Sequence, residues 1–202
     1  LAPAFLVGRL GEVPAAAHQI AINLATLCFM VPMGLAEATT VRVGHALGRG
    51  DRDALRRAAF AGYTIVLATQ LMSGLVLLTG NDLIVSFYPD DAAAAALAAT
   101  LLLYAAAFQF PDGIQVMSAG SLRGLRDTRV PMFLAMAAYW GLGMPLGAGL
   151  GLGLGWGPQG MWTGLIVGLS AAAGLMGWRL AWRLGRLPAP GGAPRGTLTS
   201  GA

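Results

Sequence analysis

Lysine is absent from the 202 residues, cysteine occurs once, and charged side chains make up only 11% of the chain. Ordinary soluble domains carry about 25% charged residues, so this scarcity argues against a water-soluble domain. With Cys28 alone, no internal disulfide can form; its plain reading is a small apolar residue in an apolar run. Enzyme signatures are missing as well. There is no P-loop, no nucleophile elbow and no Cys/His metal spacing, and the two histidines, His18 and His45, fall in different segments. The stretch "GHALGRG" has glycines but neither a preceding strand nor GxGxxG spacing, so it is not a dinucleotide fingerprint. The residues therefore point away from an enzyme and from any bound organic cofactor.

What is present is apolar, at 56% of the chain. Residues 13–36 and 58–80 carry no formal charge, 92–122 carry only Asp112, and 130–178 carry none. "GLGLGLGWGPQG" (149–160) divides the last run, because glycines and Pro158 interrupt a helical pattern. A spanning helix needs about 20 apolar residues. The runs predict an all-α polytopic membrane protein with five full helices near 15–39, 58–80, 93–120, 130–150 and 160–182. Residues 1–10, "LAPAFLVGRL", are too short for a span and lack the basic lead-in of a signal peptide. They read as the end of a truncated helix, and the chain as a fragment. Residues 187–202 are rich in Pro, Gly and Ser and read as a disordered tail.

Thirteen arginines against nine acids give a charge of +4, but their placement speaks for a membrane rather than for nucleic acid. Twelve of the thirteen lie between the first and second spans, between the third and fourth, or after the fifth. Alternating crossings put all three regions on one side, and the positive-inside bias makes that side cytoplasmic, with the C-terminus. "RVGHALGRGDRDALRRA" and "LRGLRDTRVP" on that side read either as coupling loops or as interfacial segments held by anionic lipid. Asp127 in the second can pair with a neighbouring arginine.

Polar residues inside the spans are few. Gln19, Asn23 and Thr26 follow i, i+4, i+7 spacing and share one face of the first helix, with Met30 and Met33 continuing near it. Such a face can line a central cavity, its thioethers fitting irregular apolar ligands, or it can hydrogen-bond a neighbouring helix. Glu37 sits at the helix end and reads as an anchor within reach of headgroup water. Asp112 is different. It lies eleven residues before Arg123, roughly 16 Å inside the boundary at 1.5 Å per residue. An ionised carboxylate at that depth costs at least ~2.5 kcal/mol, so it needs water, a partner or a proton. Gln109 and Gln115 stand three residues to either side and extend a polar face. Pro111 removes the N–H that the carbonyl of Ala107 would accept from, which predicts a kink, and Gly113 removes bulk. A carboxylate beside a free carbonyl can ligate a cation, Na⁺ included, or titrate. The plainer reading is a permanently protonated Asp112 bonded to a neighbouring helix.

"AAHQIAINLATLCFMVPMGLAEATTVRVGHALGRGD", "SAGSLRGLRDTRVPM", "YWGLGMPLG" and "GPQGMWTGLIVGLSAAA", in that order over about residues 5–182, closely resemble the C-terminal half of MATE (multidrug and toxic compound extrusion) transporters. The similarity is to their bacterial drug/Na⁺ or drug/H⁺ antiporter branch. It implies a twelve-helix protein of two six-helix bundles around a central cavity. This chain would supply the C-terminal lobe from the end of helix seven, facing an N-terminal lobe of the same polypeptide. It also implies that Asp112 occupies the cation-coupling position of helix ten. Phe108 stands where some relatives place a tyrosine, which favours H⁺ over Na⁺. The resemblance thus predicts a secondary active antiporter of a bacterial inner membrane, exchanging H⁺ or Na⁺ for small amphipathic, often cationic drugs. Gln19, Asn23, Met30, Phe108, Gln109 and Gln115 are then candidates for the cavity lining. A lipid-linked-precursor flippase of similar architecture would want a strongly basic cavity, and a non-transporting scaffold subunit would have no need of Asp112. A reporter fused after Arg186 is expected in the cytoplasm and one inserted near Asp90 and Asp91 in the periplasm; the same side for both would overturn the number of crossings.

Overall fold

The computed structural model describes residues 7–8, 11–80 and 92–187. Of the expected truncated helix only Val7 and Gly8 are described, both helical, and the expectations for residues 1–6, 9–10 and 188–202 lie outside the described residues. So do Asp90 and Asp91. The described residues form helices joined by short turns, with no strand among them.

Five helices are long and apolar enough to cross a membrane: α1 (Glu12–Gly48), α2 (Arg52–Thr79), α3 (Ala92–Gly124), α4 (Arg129–Gly153) and α5 (Gly157–Gly185). Each charge-free run does form a helix, but most run on past the expected ends. At 37 residues, α1 is about 55 Å long, well beyond the ~30 Å of hydrocarbon. Its last turns carry Arg42, with Arg49 just past the end, and the long stems of both suit a helix leaving the apolar layer.

Two joints fix how the helices return. At the end of α1, Gly50 adopts φ +66°, its N–H donates to Leu47 O, and the N–H of Asp51 donates to Ala46 O. This is the left-handed Schellman closure that glycine favours. The Asp51 carboxylate then accepts from the N–H of Ala54 at 2.8 Å and caps α2. The α3–α4 turn closes the same way with Arg126 at φ +60°, N–H groups of Arg126 and Asp127 donating to Arg123 O and Leu122 O. A side chain in that conformation costs about 1–2 kcal/mol, so the turn must be held by other contacts. Asp127 holds it. Its carboxylate, 8% exposed, accepts from Arg179 at 2.9 Å and faces Arg183 at 3.4 Å, and Arg183 also donates to Leu125 O. The partners are therefore on α5, more than fifty residues away, and not the neighbouring Arg126 or Arg129. Glu37, by contrast, pairs with Arg123 at 2.8 Å while both stay half exposed, a contact worth about 0–1 kcal/mol.

α3 is the centre of the bundle, packed along α1, α2 and α5, while α4 leans on α5. Pro111 does not break it: α3 is helical from Ala92 to Gly124. Small residues let α1 and α3 cross closely. A Cβ on Gly120 would lie 2.7 Å from Ala36 O, and Thr40 Oγ1 donates to Gly120 O at 2.8 Å. One core cluster gathers Leu101, Leu102 and Trp162; a second, at the arginine-rich end, gathers Val43, Leu55, Leu122, Met176 and Leu180. The second cluster draws together the ends of α1, α3 and α5 and the start of α2, so the described arginine-rich segments share one end of the bundle. Phe60, Met72, Trp140 and Trp178 are each more than 60% exposed, an outer surface suited to lipid.

The glycine-rich stretch that was expected only to separate two spans also joins them. α4 carries Gly143, Gly147 and Gly151, and α5 carries Gly160, Gly164 and Gly168, so glycines recur every fourth residue on both facing helices. Cβ atoms built on Gly160, Gly164 or Gly168 would come within 2.5, 2.3 and 2.7 Å of α4 backbone. Small residues at this spacing are how membrane helices approach when no hydrophobic force draws them together. α4 departs from the α-helix at Ala137–Gly143 and Gly149–Gly153, which are π-helical. Glycines four apart drift around a helix of 3.6 residues per turn; the wider π turns counter that drift and keep the glycine line on α5. Gly164→Ala places a methyl 2.3 Å from Gly147 Cα and must push the helices apart, costing about 1–3 kcal/mol. A lower thermal midpoint of the purified protein in detergent is expected, with Gly141→Ala, which meets nothing within 4 Å, as the neutral control. An unchanged midpoint for Gly164→Ala would contradict the seam.

Candidate functional site

Asp112 lies midway along α3 and is 8% exposed. Among the described residues its carboxylate has no hydrogen-bond or ion-pair partner. The expected alternative, an acid bonded to a neighbouring helix, therefore has no acceptor to name. Asp112 and Phe108, one turn apart, form one wall of a cleft of about 190 Å³ whose other wall is Ile22, Ala25, Thr26 and Phe29 of α1. Thr26 Oγ1 donates to Ile22 O at 2.7 Å, which leaves its oxygen lone pairs free towards the cleft. The cleft is thus apolar except for one carboxylate and one hydroxyl.

Thr26 joins this cleft to the polar face of α1. Gln19 and Asn23 are exposed and bonded to each other, Gln19 Nε2 donating to Asn23 Oδ1 at 2.7 Å. Further along, Met30 and Met33 are 66% and 53% exposed. No described helix covers this face, and Gln19 and Asn23, for which cavity lining and bonding to a neighbouring helix were both open, bond each other along the surface. Phe108 packs edge-on against Trp162 of α5 at 6.0 Å, and Trp162 packs against His18 at 5.9 Å. That aromatic row backs Phe108, the one of its members that lines the cleft. His18 Nδ1 and Trp162 Nε1 are both buried in it without a partner among the described residues.

Gln109 departs from its expected role. It is 1% exposed, and Gln70 Nε2 of α2 donates to its backbone oxygen at 2.6 Å and to Oε1 at 3.0 Å. Gln109 is an interhelical clasp directed towards α2 and is not among the residues lining the cleft. Gly113 serves the same clasp. A Cβ there would lie 2.7 Å from Gln70 Cγ, so the bulk it removes makes room for Gln70 rather than for a ligand of Asp112. Gln115 shares the Phe108 and Asp112 face by its 4+3 spacing and is half-buried, outside the cleft lining. Sequence reasoning missed Gln70, Trp162 and Tyr139. Tyr139 lies in the first π-helical stretch within electrostatic range of Asp112. Gln70 had a signal, being the one amide in its charge-free run. Among the described residues no three metal-ligating side chains gather.

Five helices long and apolar enough to cross a membrane, two of them lining a carboxylate-bearing cleft, define an all-α polytopic membrane protein. The MatE family model matches residues 1–148, and the chain belongs to that family. It is 71% identical to a probable multidrug resistance protein NorM of Xanthomonas campestris pv. campestris, over 95% of this chain and 42% of the relative. It is 47% identical to the multidrug resistance protein PmpM of Pseudomonas aeruginosa, over 88% of this chain and 38% of the relative. The chain therefore spans about two fifths of the length of these relatives. An outward-facing multidrug resistance MATE transporter of the MOP superfamily superposes with a TM-score of 0.83 at 18% identity, over 92% of this chain and 41% of that one. The eukaryotic MATE transporter AtDTX14 gives 0.78 at 19%, over 85% and 40%. At such identities these structures speak for the fold alone.

Proposed function

We propose that this chain forms the C-terminal lobe of a secondary active multidrug antiporter in a bacterial inner membrane. It exchanges external H⁺ or Na⁺ for amphipathic, often cationic compounds leaving the cytoplasm. The observation that carries this reading is a buried carboxylate without a partner, set in a cleft at the border of an uncovered polar helix face. The names of the relatives, multidrug resistance proteins, support it. The uncovered face of α1 then turns towards the N-terminal lobe of the same polypeptide, and the arginine-rich end, with the C-terminus, towards the cytoplasm.

In this mechanism Asp112 carries the coupling. A charged carboxylate in an apolar cleft attracts either an external cation or a cationic drug, and it cannot satisfy both. Binding of H⁺ or Na⁺ neutralises it and releases the drug; loss of that ion restores the charge and the drug site. Pro111, one residue before it, leaves the carbonyl of Ala107 without its helical donor, which makes α3 easiest to bend beside the group whose charge changes. Gln19, Asn23, Met30 and Phe108 form the lining that meets the drug, with Gln115 a more distant contributor. H⁺ fits better than Na⁺, because hard cations take several oxygen ligands and the cleft offers only Asp112 and the hydroxyl of Thr26. A flippase for lipid-linked precursors would place cations in the cleft, and no arginine or histidine is among its lining residues.

The test is drug efflux under an imposed H⁺ or Na⁺ gradient, in vesicles or proteoliposomes containing the protein as its gene encodes it, at matched levels. Asp112→Asn keeps the shape but fixes the neutral state, so coupled efflux is expected to fall to background while insertion persists. Asp112→Glu is expected to retain part of it. Wild-type transport with unchanged ion dependence in Asp112→Asn would sink the mechanism and leave the scaffold reading standing.

A further inference from the structure

We propose that the cleft between the end of α1 and the start of α2 binds a phosphate-bearing anion, the headgroup of an acidic phospholipid. Arg42, His45 and Arg49 line one side of this space of about 250 Å³, and Ala46, Ala54 and Ala58 line the rest. The three basic residues follow i, i+3, i+7 spacing and so share one face of α1. Two guanidinium groups and an imidazole on one face, with no carboxylate in the lining, make a place that favours an anion.

Five other arginines at this end of the bundle are already engaged, and Arg56, Arg57, Arg126 and Arg129, which are not, stand outside the lining of this cleft. Arg52 donates to Leu184 O and Gly185 O, Arg123 pairs with Glu37, and Arg179 and Arg183 hold Asp127. Arg186 stacks on Trp182 at 3.9 Å. Arg42, His45 and Arg49 have no such partner among the described residues, and no carboxylate lines their cleft. The nearest acid in sequence, Asp51, is committed to the N–H of Ala54. The walls are fixed relative to each other by the glycine closure at Gly50 and by that cap, so the cleft is formed before any ligand arrives. Alanines opposite the cations leave the space open.

Depth chooses the source of the phosphate. The charge-free run of α1 ends at residue 36. Arg42 lies six residues further, about 9 Å along the helix, and the polar headgroup layer is ~5–8 Å thick on each side of the hydrocarbon. Arg42 thus starts just beyond that layer and its long stem can reach back into it, where a phosphodiester is held at high local concentration, while His45 and Arg49 stand farther out along the cleft. Guanidinium forks suit its oxygens with paired hydrogen bonds.

The experiment is native mass spectrometry of the detergent-purified protein as its gene encodes it. It is titrated with phosphatidylglycerol, with phosphatidylcholine, and with phosphatidylglycerol in the presence of inorganic phosphate. The wild type is expected to retain phosphatidylglycerol in preference to phosphatidylcholine. Removing both guanidinium groups, in Arg42→Gln with Arg49→Gln, is expected to weaken that binding about thirtyfold. Arg56→Gln with Arg57→Gln removes the same charge from the same segment but outside the cleft, and is expected to leave binding near the wild-type level. All four side chains are exposed; if the first pair fails to fold, Arg49→Gln alone is expected to show a smaller loss in the same direction. Equal losses in the two pairs would show diffuse attraction and overturn the site. Displacement of the lipid by inorganic phosphate would assign the cleft to the free anion and overturn the lipid.

Discussion

Hydrocarbon supplies no hydrogen-bond partner, so each polar group inside a membrane bundle must find one within the protein. The rest of this lobe is arranged around that constraint. Its hydroxyls turn back on their own helices: Thr26 to Ile22 O, Thr40 to Ala36 O, Thr64 to Phe60 O, Ser118 to Ile114 O, Thr163 to Gln159 O. Its buried amide, Gln70, reaches across to Gln109. Its buried acid at the arginine-rich end, Asp127, is met by two guanidinium groups. Asp112 alone among the described carboxylates is buried and unanswered. His18 Nδ1, Gln109 Nε2, Ser121 Oγ and Trp162 Nε1 are also buried without a partner among the described residues. Of these unanswered groups only Asp112 can carry a negative charge, which is where exchange with a mobile cation is physically reasonable.

Most of the architecture could be read from where charge is missing. Each gap between charged residues became a helix, and the arginines marked the shared end, because lipid penalises charge uniformly along a span. Helix ends were less legible. α1 continues from residue 39 to 48, since nothing in the headgroup layer penalises helix and Arg42 can extend outward. The glycines of 143–168 read as punctuation because single glycines usually weaken helices. Their spacing of four on two successive helices carried the opposite message, which only the facing helix makes plain. Sequence could not tell which face of α3 met which neighbour. Asp112, Gln109 and Gln115 looked like one polar face, yet an offset of three residues to either side sends Gln109 towards α2 and leaves Asp112 towards α1. Gln70, the partner that decides this, is thirty-nine residues away from Gln109.

The two ends of the lobe have different characters. At the arginine-rich end, ion pairs, the Asp51 cap and two Schellman turns tie four helix ends together. Around the middle, apart from the Gln70–Gln109 clasp, contacts are mostly small or aromatic: the α1–α3 crossing at Gly120, the α4–α5 glycine seam, and the Phe108–Trp162–His18 row. Small-residue contacts slide and tilt more readily than paired charges, and α4 adds two π-helical stretches, a feature common at functional sites. The fold thus pairs a fixed base with a more adaptable middle, and Asp112 sits in the latter.

The central claim is that a drug and the coupling ion compete for the charge of Asp112. It is tested most directly by equilibrium binding of a fluorescent lipophilic cation to the purified protein as its gene encodes it, across a series of pH values and Na⁺ concentrations. The account predicts that wild-type affinity falls as one of these ions rises, and that Asp112→Asn binds weakly with no such dependence. The same ion dependence in both proteins would contradict it.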